Sequence, residues 1–344
     1  MRLLVLGGTE FVGRAVVEEA LALGWEVTTF NRGSHEPPAG VTALRGDRAA
    51  PGGLASLARG EWDVVVDTWS WAPAPVREAA ALLADRAGHY VYVSSRSVYA
   101  YPAPFGADES APVVAASVGD GDSGSDDGDS DGDGGSDGDY ARNKAAAELG
   151  AVAAFGDRAL LARAGLILGP YENVGRLPWW LTRIARGGPV LAPGPRDLGL
   201  QYVDARDLAT WCLDAGRRGL GGAYNVVSPP GFVTMGELLE TCVKVTGSDA
   251  ELRWLDTEAI LATGVAPWTD LPIWLVGEEH AYMHGGAVDK AVAAGLRFRP
   301  VEETVADTWS WLRSIGGRPP TRPDRPAVGL DPEVEARLLR QARG

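Results

Sequence analysis

Cysteine, methionine, histidine and lysine are all scarce in these 344 residues, and the shortages narrow what the chain can be. Two cysteines, Cys212 and Cys242, offer no disulfide framework and suit a reducing compartment, so a cytoplasmic location is expected. Of the four histidines, His280 and His284 share a helical face at best; no third ligand is evident, and no metal is expected. No apolar run reaches bilayer-spanning length, and a strand pattern starts at residue 2, so neither a membrane partner nor a secretory leader is expected. Basic charge is also in deficit. The formal net charge is −14; the window 118–139 holds nine aspartates and no cation, so the remainder carries −14 + 9 = −5. That balance speaks against a nucleic-acid partner, whose phosphates need a basic surface. Lysine occurs only at 144, 244 and 290, every other cation being arginine.

What is present begins with Val5-Leu6-Gly7-Gly8-Thr9-Glu10-Phe11-Val12-Gly13-Arg14-Ala15. Before it, Arg2–Leu6 is almost wholly apolar, the pattern of a strand buried on both faces. After it, Val12, Ala15, Val16, Ala20 and Leu23 recur at helical spacing until Gly24 closes the helix. A glycine turn between strand and helix exposes backbone N–H groups at a helix N-terminus. The phosphates of a dinucleotide can sit there without a basic side chain. Gly7, Gly8, Thr9, Glu10, Phe11, Val12 and Gly13 are the candidate cradle. Trp25–Phe30 reads as a second strand, ending at Asn31-Arg32-Gly33. At this distance from the turn a carboxylate would hold the adenosine ribose of NAD; Asn31 and Arg32 stand there instead. A guanidinium offers a 2′-phosphate a fork of charge-assisted donors, so NADP(H) is expected over NAD(H). Val41–Asp47 reads as a third strand, placing Asp47, with Arg48 after it, at the adenine edge.

Asp63–Asp67 and Tyr90–Ser94 read as the fourth and fifth strands, with helical patterns at about 52–58 and 74–86 between strands. This alternation predicts an α/β, doubly wound parallel sheet that binds its ligand at the strands' C-terminal ends. From about 117 to 139 the chain is Gly, Asp and Ser, too polar to fold, and a mobile loop is expected. A calcium loop threaded through Asp129, Asp131 and Asp133 fails, because its twelfth position falls on Tyr140. Helix-forming sequence resumes at Asp139–Leu149, followed by a buried strand over Ala159–Leu168. A helix over 177–186, strands over Leu200–Asp204 and Ala223–Val227, and helices over Met235–Val245 and Val301–Leu312 complete the pattern. The expected division is a dinucleotide-binding domain over 1–165 and a smaller substrate lobe with returning sheet elements over 166–315. A proline-rich tail with a short charged helix from Asp331 makes up 316–344.

Tyr140 and Lys144 are one helical turn apart, so their side chains leave the same face. An ammonium beside a phenol stabilises the phenolate and lowers the phenol's pKa. Such a phenol can protonate a carbonyl oxygen, or deprotonate an alcohol, while hydride moves to or from a nicotinamide. Ser95, at the end of the fifth strand, could hold the same oxygen. Taken alone, the Tyr-x-x-x-Lys spacing also fits a solvated helix face.

At these positions the chain resembles the short-chain dehydrogenase/reductase superfamily, in its extended NAD(P)-dependent epimerase/dehydratase branch. The resemblance rests on Gly7–Gly13, Val93–Tyr99, Tyr140–Lys144, Leu168-Gly169-Pro170, Tyr202–Ala209, Val288–Ala291 and Gly295-Leu296. It implies a Rossmann sheet and Ser95, Tyr140 and Lys144 as the catalytic set. Gly7, Gly13, Arg32 and Asp47 would hold the cofactor, with backbone at Asp67-Thr68 and Ala164-Gly165 beside adenosine and nicotinamide. A homodimer is expected by analogy alone.

Three departures qualify the resemblance. The turn carries Glu10 where glycine is usual, and Gly-Gly-Thr-x-Phe-x-Gly with Val66-Asp67-Thr68 is similar to an atypical subgroup of isoflavone-reductase-like and chloroplast stem-loop RNA-binding proteins. A carboxylate facing pyrophosphate would be repelled, so Glu10 is expected to point toward Arg14 or the adenosine side. Sugar-nucleotide dehydratases of the family place an Asp-Glu pair after the catalytic Ser/Thr; here stand Arg96-Ser97. The arginine that grips diphosphate in nucleotide-sugar members is replaced by Leu200-Gln201, with Arg186 and Arg196 as possible substitutes. The expected function is an NADP(H)-dependent oxidoreductase acting on a small carbonyl or alcohol that is not a nucleotide sugar. A sugar epimerase with tightly bound cofactor, or a non-catalytic NADP-sensing or RNA-binding protein, are the alternatives. Trp69, Trp71, Tyr99, Tyr171, Trp179 and Trp180 either line an apolar substrate pocket or pack the interface between lobes.

Overall fold

Four consecutive apolar residues leave a strand no solvent face, and Leu3, Leu4, Val5 and Leu6 are each at most 2% exposed. The computed structural model describes residues 1–116, 137–319 and 327–341. In chain order the first elements are β1 (Arg2–Leu6), α1 (Phe11–Ala22), β2 (Glu26–Asn31), β3 (Thr42–Arg45), β4 (Trp62–Asp67), α2 (Ala74–Leu83) and β5 (Ala87–Ser95). Next come α3 (Asp137–Phe155), β6 (Ala159–Ala164), β7 (Ile167–Leu168), α4 (Arg176–Ala185), β8 (Pro189–Pro193), β9 (Gly199–Leu200), β10 (Val203–Asp204), α5 (Ala205–Arg217) and β11 (Gly222–Val226). The chain finishes with β12 (Val233–Thr234), α6 (Met235–Thr246), β13 (Glu251–Leu255), α7 (Thr257–Leu261), α8 (Gly277–His284), α9 (Asp289–Ala293), α10 (Val301–Ser314) and α11 (Pro332–Gln341).

Seven strands pair in the order β11-β6-β5-β4-β1-β2-β3, every pair parallel. Alternation along the strands decides which helices cover which face. Leu3, Val5, Val64, Val66, Val91 and Val93 form one core with α1 and α5, while Leu4, Leu6, Val65, Tyr90 and Tyr92 form another with α2 and α3. The direction of winding reverses between β1 and β4, which opens a crevice at their C-terminal ends. The doubly wound α/β sheet expected from the alternation of elements is the one observed.

A third core joins α4, β8, α6, β13, α10 and α11 around Trp180 and Trp274. Gly175 cannot cap α4, and the buried Glu172 does so instead, accepting from Arg176 N at 2.6 Å and Leu177 N at 3.2 Å. Three expectations need correction. The 52–58 pattern yields only a 3₁₀ turn over Ala55–Leu57, since Gly52, Gly53 and Gly60 crowd it. The run Ala159–Leu168 breaks at Gly165 into β6 and β7, whose partners differ. Leu200–Asp204 likewise splits into β9 and β10. The acidic loop expected at 117–139 falls largely on 117–136, outside the described residues, as does most of the proline-rich stretch. Among the described residues no helix is long and apolar enough to cross a membrane.

Candidate active site

The glycine turn sits at the crevice between β1 and β4. Gly7 and Gly8 have φ of 122° and 95°, and a Cβ on Gly7 would stand 2.6 Å from Thr68 Oγ1. At Gly13 a Cβ would lie 2.7 Å from Gly8 N, so only glycine lets α1 approach the turn. Thr68 Oγ1 donates to Leu6 O at 3.1 Å, joining the end of β4 to the turn. Glu10 is the N-cap of α1 but makes no capping hydrogen bond, and Phe11 follows at φ 33°. The first turn of α1 thus lacks a side-chain cap, and a strained backbone is held at its mouth; both suit a phosphate-binding turn. Glu10 turns to the loop after β2: its carboxylate lies 3.4 Å from His35 Nδ1 and accepts from Asn173 Nδ2 at 3.0 Å. Arg14 does not meet Glu10; it donates to Glu18 at 2.8 Å and stacks over Tyr171.

Beyond the turn, Asn31 accepts from Gly33 N at 2.8 Å and donates to Gly7 O at 3.4 Å, shaping the loop that carries the exposed Arg32. Asp47 Oδ1 accepts from Ala49 N at 3.0 Å. Arg48, placed by the sequence among the cofactor contacts, turns inward instead. Its guanidinium is buried, donating to both Asp67 oxygens at 2.7 Å and to Pro75 O at 2.9 Å. Burial alone would raise the Asp67 carboxyl, but the Arg48 charge overrides it and holds Asp67 below the usual carboxylate range. Tyr90 Oη donates to Asp67 at 2.5 Å. A fully buried carboxylate at the end of β4 has taken the cation.

Lys144 reaches from α3 to the ends of two strands. Its Nζ donates to Trp69 O and Val93 O, each at 2.7 Å, and lies 4.6 Å from the Tyr92 ring centroid. Burial lowers its pKa to about 7, against the opposing pull of Asp67 and Glu148. Tyr140, half-buried, stands one turn earlier on α3, and α3 packs against the turn 96–98. Ser95 caps that turn: its Oγ accepts from Ser97 N and donates to Ser97 Oγ, both at 3.1 Å. Ala164 pairs with Ser95 in the neighbouring strand, and a Cβ on Gly165 would meet Val227 at 2.6 Å. The fold therefore gathers the ends of β4, β5 and β6 with one face of α3.

Sequence reasoning missed the polar cluster beneath this face. Glu148, one turn beyond Lys144, accepts from Ser94 Oγ at 2.7 Å and from Arg163 Nε and Nη2 at 2.9 and 2.8 Å. Arg163 stacks on Tyr99, whose Oη donates to Asn225 Oδ1 at 2.7 Å. Ser94, Arg163 and Asn225 are side-by-side partners on β5, β6 and β11. An arginine inside the otherwise apolar Ala159–Leu168 run was the available signal, because a buried guanidinium requires a partner.

Arg96, where dehydratases carry an acid, is 5% exposed and tied to Met283 O at 2.9 Å and Tyr282 O at 3.2 Å. Leu200 and Gln201 are fully buried, and Gln201 spends its amide on Ser228 O and on Gly286 O and N. Of the two arginines that could replace a diphosphate grip, Arg196 pairs with Glu240, and Arg186 lines a pocket against α11 with Glu335 and Leu339. The aromatic group does not converge on one wall. Tyr99 and Trp180 are core residues, Trp180 donating to Pro272 O at 2.8 Å, and Tyr171 packs against Arg14 and Trp311.

No protein-family model and no curated protein matches the sequence. Solved structures do match it. A putative epimerase from Burkholderia cenocepacia J2315 superposes with a TM-score of 0.67 at 22% identity, over 91% of this chain and 98% of the other. UDP-glucose 4-epimerase from Thermus thermophilus, in complex with NAD, gives 0.62 at 21% identity, over 91% and 99%. dTDP-glucose 4,6-dehydratase from Bacillus anthracis str. Ames, also with NAD, gives 0.64 at 14% identity, over 92% and 97%. The likeness extends over nearly the whole length of each chain, and what it establishes is the fold: this chain shares the architecture of an epimerase and a dehydratase whose structures hold NAD.

Proposed function

We propose that the chain is an NADP(H)-dependent oxidoreductase of the short-chain dehydrogenase/reductase type, acting on a small carbonyl or alcohol. The observation that carries this reading is Lys144, buried at the ends of β4 and β5 one helical turn from Tyr140. When bound, the nicotinamide supplies or takes up the hydride. Tyr140 exchanges the proton at the substrate oxygen, and Ser95 holds that oxygen. The charge on Lys144 favours the phenolate of Tyr140. With a pKa of about 7, Lys144 populates both protonation states near neutrality. The uncapped turn at α1 would hold the pyrophosphate, and Arg32 the 2′-phosphate.

Two features favour a substrate other than a nucleotide sugar. Leu200 and Gln201 give no cation where diphosphate would be gripped, and neither Arg186 nor Arg196 is placed in that role. Arg96 in place of an acid–base pair argues against removal of water. The likeness to structures described as epimerases supports a second reading, an epimerase that oxidises and re-reduces one carbon. The Gly-Gly-Thr-x-Phe-x-Gly turn supports placement in the atypical subgroup.

The test is Tyr140→Phe assayed against a panel of ketones, quinones, imines and sugar nucleotides. Turnover is expected to fall at least about a hundredfold with cofactor affinity nearly intact. Unchanged turnover would overturn the assignment of Tyr140. In the unmodified enzyme, stoichiometric NADPH consumption marks a reductase, and turnover without net consumption an epimerase.

A further inference from the structure

We infer that Arg45, at the end of β3, is the second arm of a clamp for the 2′-phosphate of the cofactor's adenosine, opposite Arg32. The inference rests on the NADP(H) reading above and extends it to a residue that the position after β2 does not reveal.

Three observations place Arg45 there. First, Asn31 and Arg45 are register partners in the parallel pair β2–β3, and paired residues in parallel strands project from the same face. Asn31 projects toward the glycine turn, donating to Gly7 O, so Arg45 stands on that face too. Second, the arginine lies across the Asn31-Arg32-Gly33 loop. A Cβ built on Gly33, at φ 82°, would stand 3.1 Å from Arg45 Nε and 3.4 Å from Arg45 Cζ. Gly33 is therefore in contact distance of the guanidinium, and Arg32 is its immediate neighbour in sequence. Third, Arg32 and Arg45 are both exposed, and neither takes part in an ion pair among the described residues. Arg48, one short loop away, is matched to Asp67 by two hydrogen bonds. Two cationic residues beside one loop, neither in an ion pair, offer a dianionic monoester charge-assisted donors.

Glu10 and His35 set the limit of the site. The Glu10 carboxylate lies 3.4 Å from His35 Nδ1 and is held by Asn173 at 3.0 Å. Among the described residues no ion pair joins this carboxylate to Arg45. A 2′-hydroxyl offers the clamp no charge, so the contribution of Arg45 is confined to the phosphorylated cofactor.

The full-length protein is titrated with NADPH, NADH, adenosine 2′,5′-bisphosphate and 5′-AMP, comparing wild type, Arg32→Ala and Arg45→Met. Methionine retains an aliphatic stem near Gly33 and removes the charged fork of donors. Arg45→Met is expected to weaken NADPH and adenosine 2′,5′-bisphosphate about tenfold, while NADH and 5′-AMP change less than about twofold. Each single variant should also lower the steepness with which rising salt weakens NADPH binding. If Arg45→Met leaves the NADPH/NADH ratio at the wild-type value while Arg32→Ala lowers it, the clamp is refuted and the NADP(H) reading stands. If wild type binds NADPH and NADH equally, the NADP(H) reading falls and the clamp with it. A uniform loss of all four ligands in Arg45→Met refutes the clamp as well, since a 2′-phosphate contact cannot weaken 5′-AMP.

Discussion

Burial makes Lys144 a poor place to keep a proton, even with two carbonyls and an aromatic ring facing its ammonium. Lys144 is 3% exposed, and its pKa falls from the ordinary 10.5 to about 7. Between those values the unfolded chain binds a proton that the folded chain does not, so stability rises with pH. The slope for one such group is about 1.4 kcal/mol per pH unit, and it vanishes below pH 7, where both states are protonated. Urea unfolding of wild type and Lys144→Met from pH 6 to 9 isolates this contribution. The stability of wild type relative to the variant should be flat to about pH 7 and climb above it; a difference independent of pH would refute the burial of the proton-binding form. The scarcity of lysine drew attention to this residue in the sequence. Arg48 was misread because nothing local to Gly46-Asp47-Arg48 signals that Asp67, nineteen positions on, is sealed beneath it.

At the level of elements, α3 is held to the sheet by polar contacts as well as by alanines. Tyr140, Lys144 and Glu148 recur every four residues, and Arg163 on β6 grips the last of them. Removing one partner of a buried pair leaves the other charge unmatched, at a cost of about 3–5 kcal/mol. Arg163→Leu is therefore expected to lose about 3 kcal/mol or more in urea unfolding, and Glu148→Gln in the Arg163→Leu background to recover part of it. Additive losses would show that the two residues act separately. Long elements were legible because apolar runs and helical spacing repeat in them often enough to be read. The two- to five-residue elements β12, β13, α7 and α9 were not, since so few residues carry no period. Likewise, no local pattern shows that Glu172 caps α4 from outside the helix.

For the molecule as a whole, alternation of strands and helices was enough to anticipate a parallel sheet, but not which strands adjoin. The neighbour relations that place Ser94, Arg163 and Asn225 in one row arise only on assembly. The same holds for the core around Trp180 and Trp274, whose members come from helices, strands and loops spread over more than a hundred residues. The uneven supply of amines has a practical outcome at this scale. Of the three lysines, Lys244 and Lys290 are exposed and Lys144 is not. Acylation of the native protein with a small amine-reactive ester, read by peptide mass spectrometry, should mark the two exposed lysines quickly and Lys144 at least about a hundredfold more slowly. Rapid marking of Lys144 would contradict its enclosure. Because the third amine becomes available only when α3 leaves the sheet, its rate of acylation would time the opening of that helix directly, without any substrate being known.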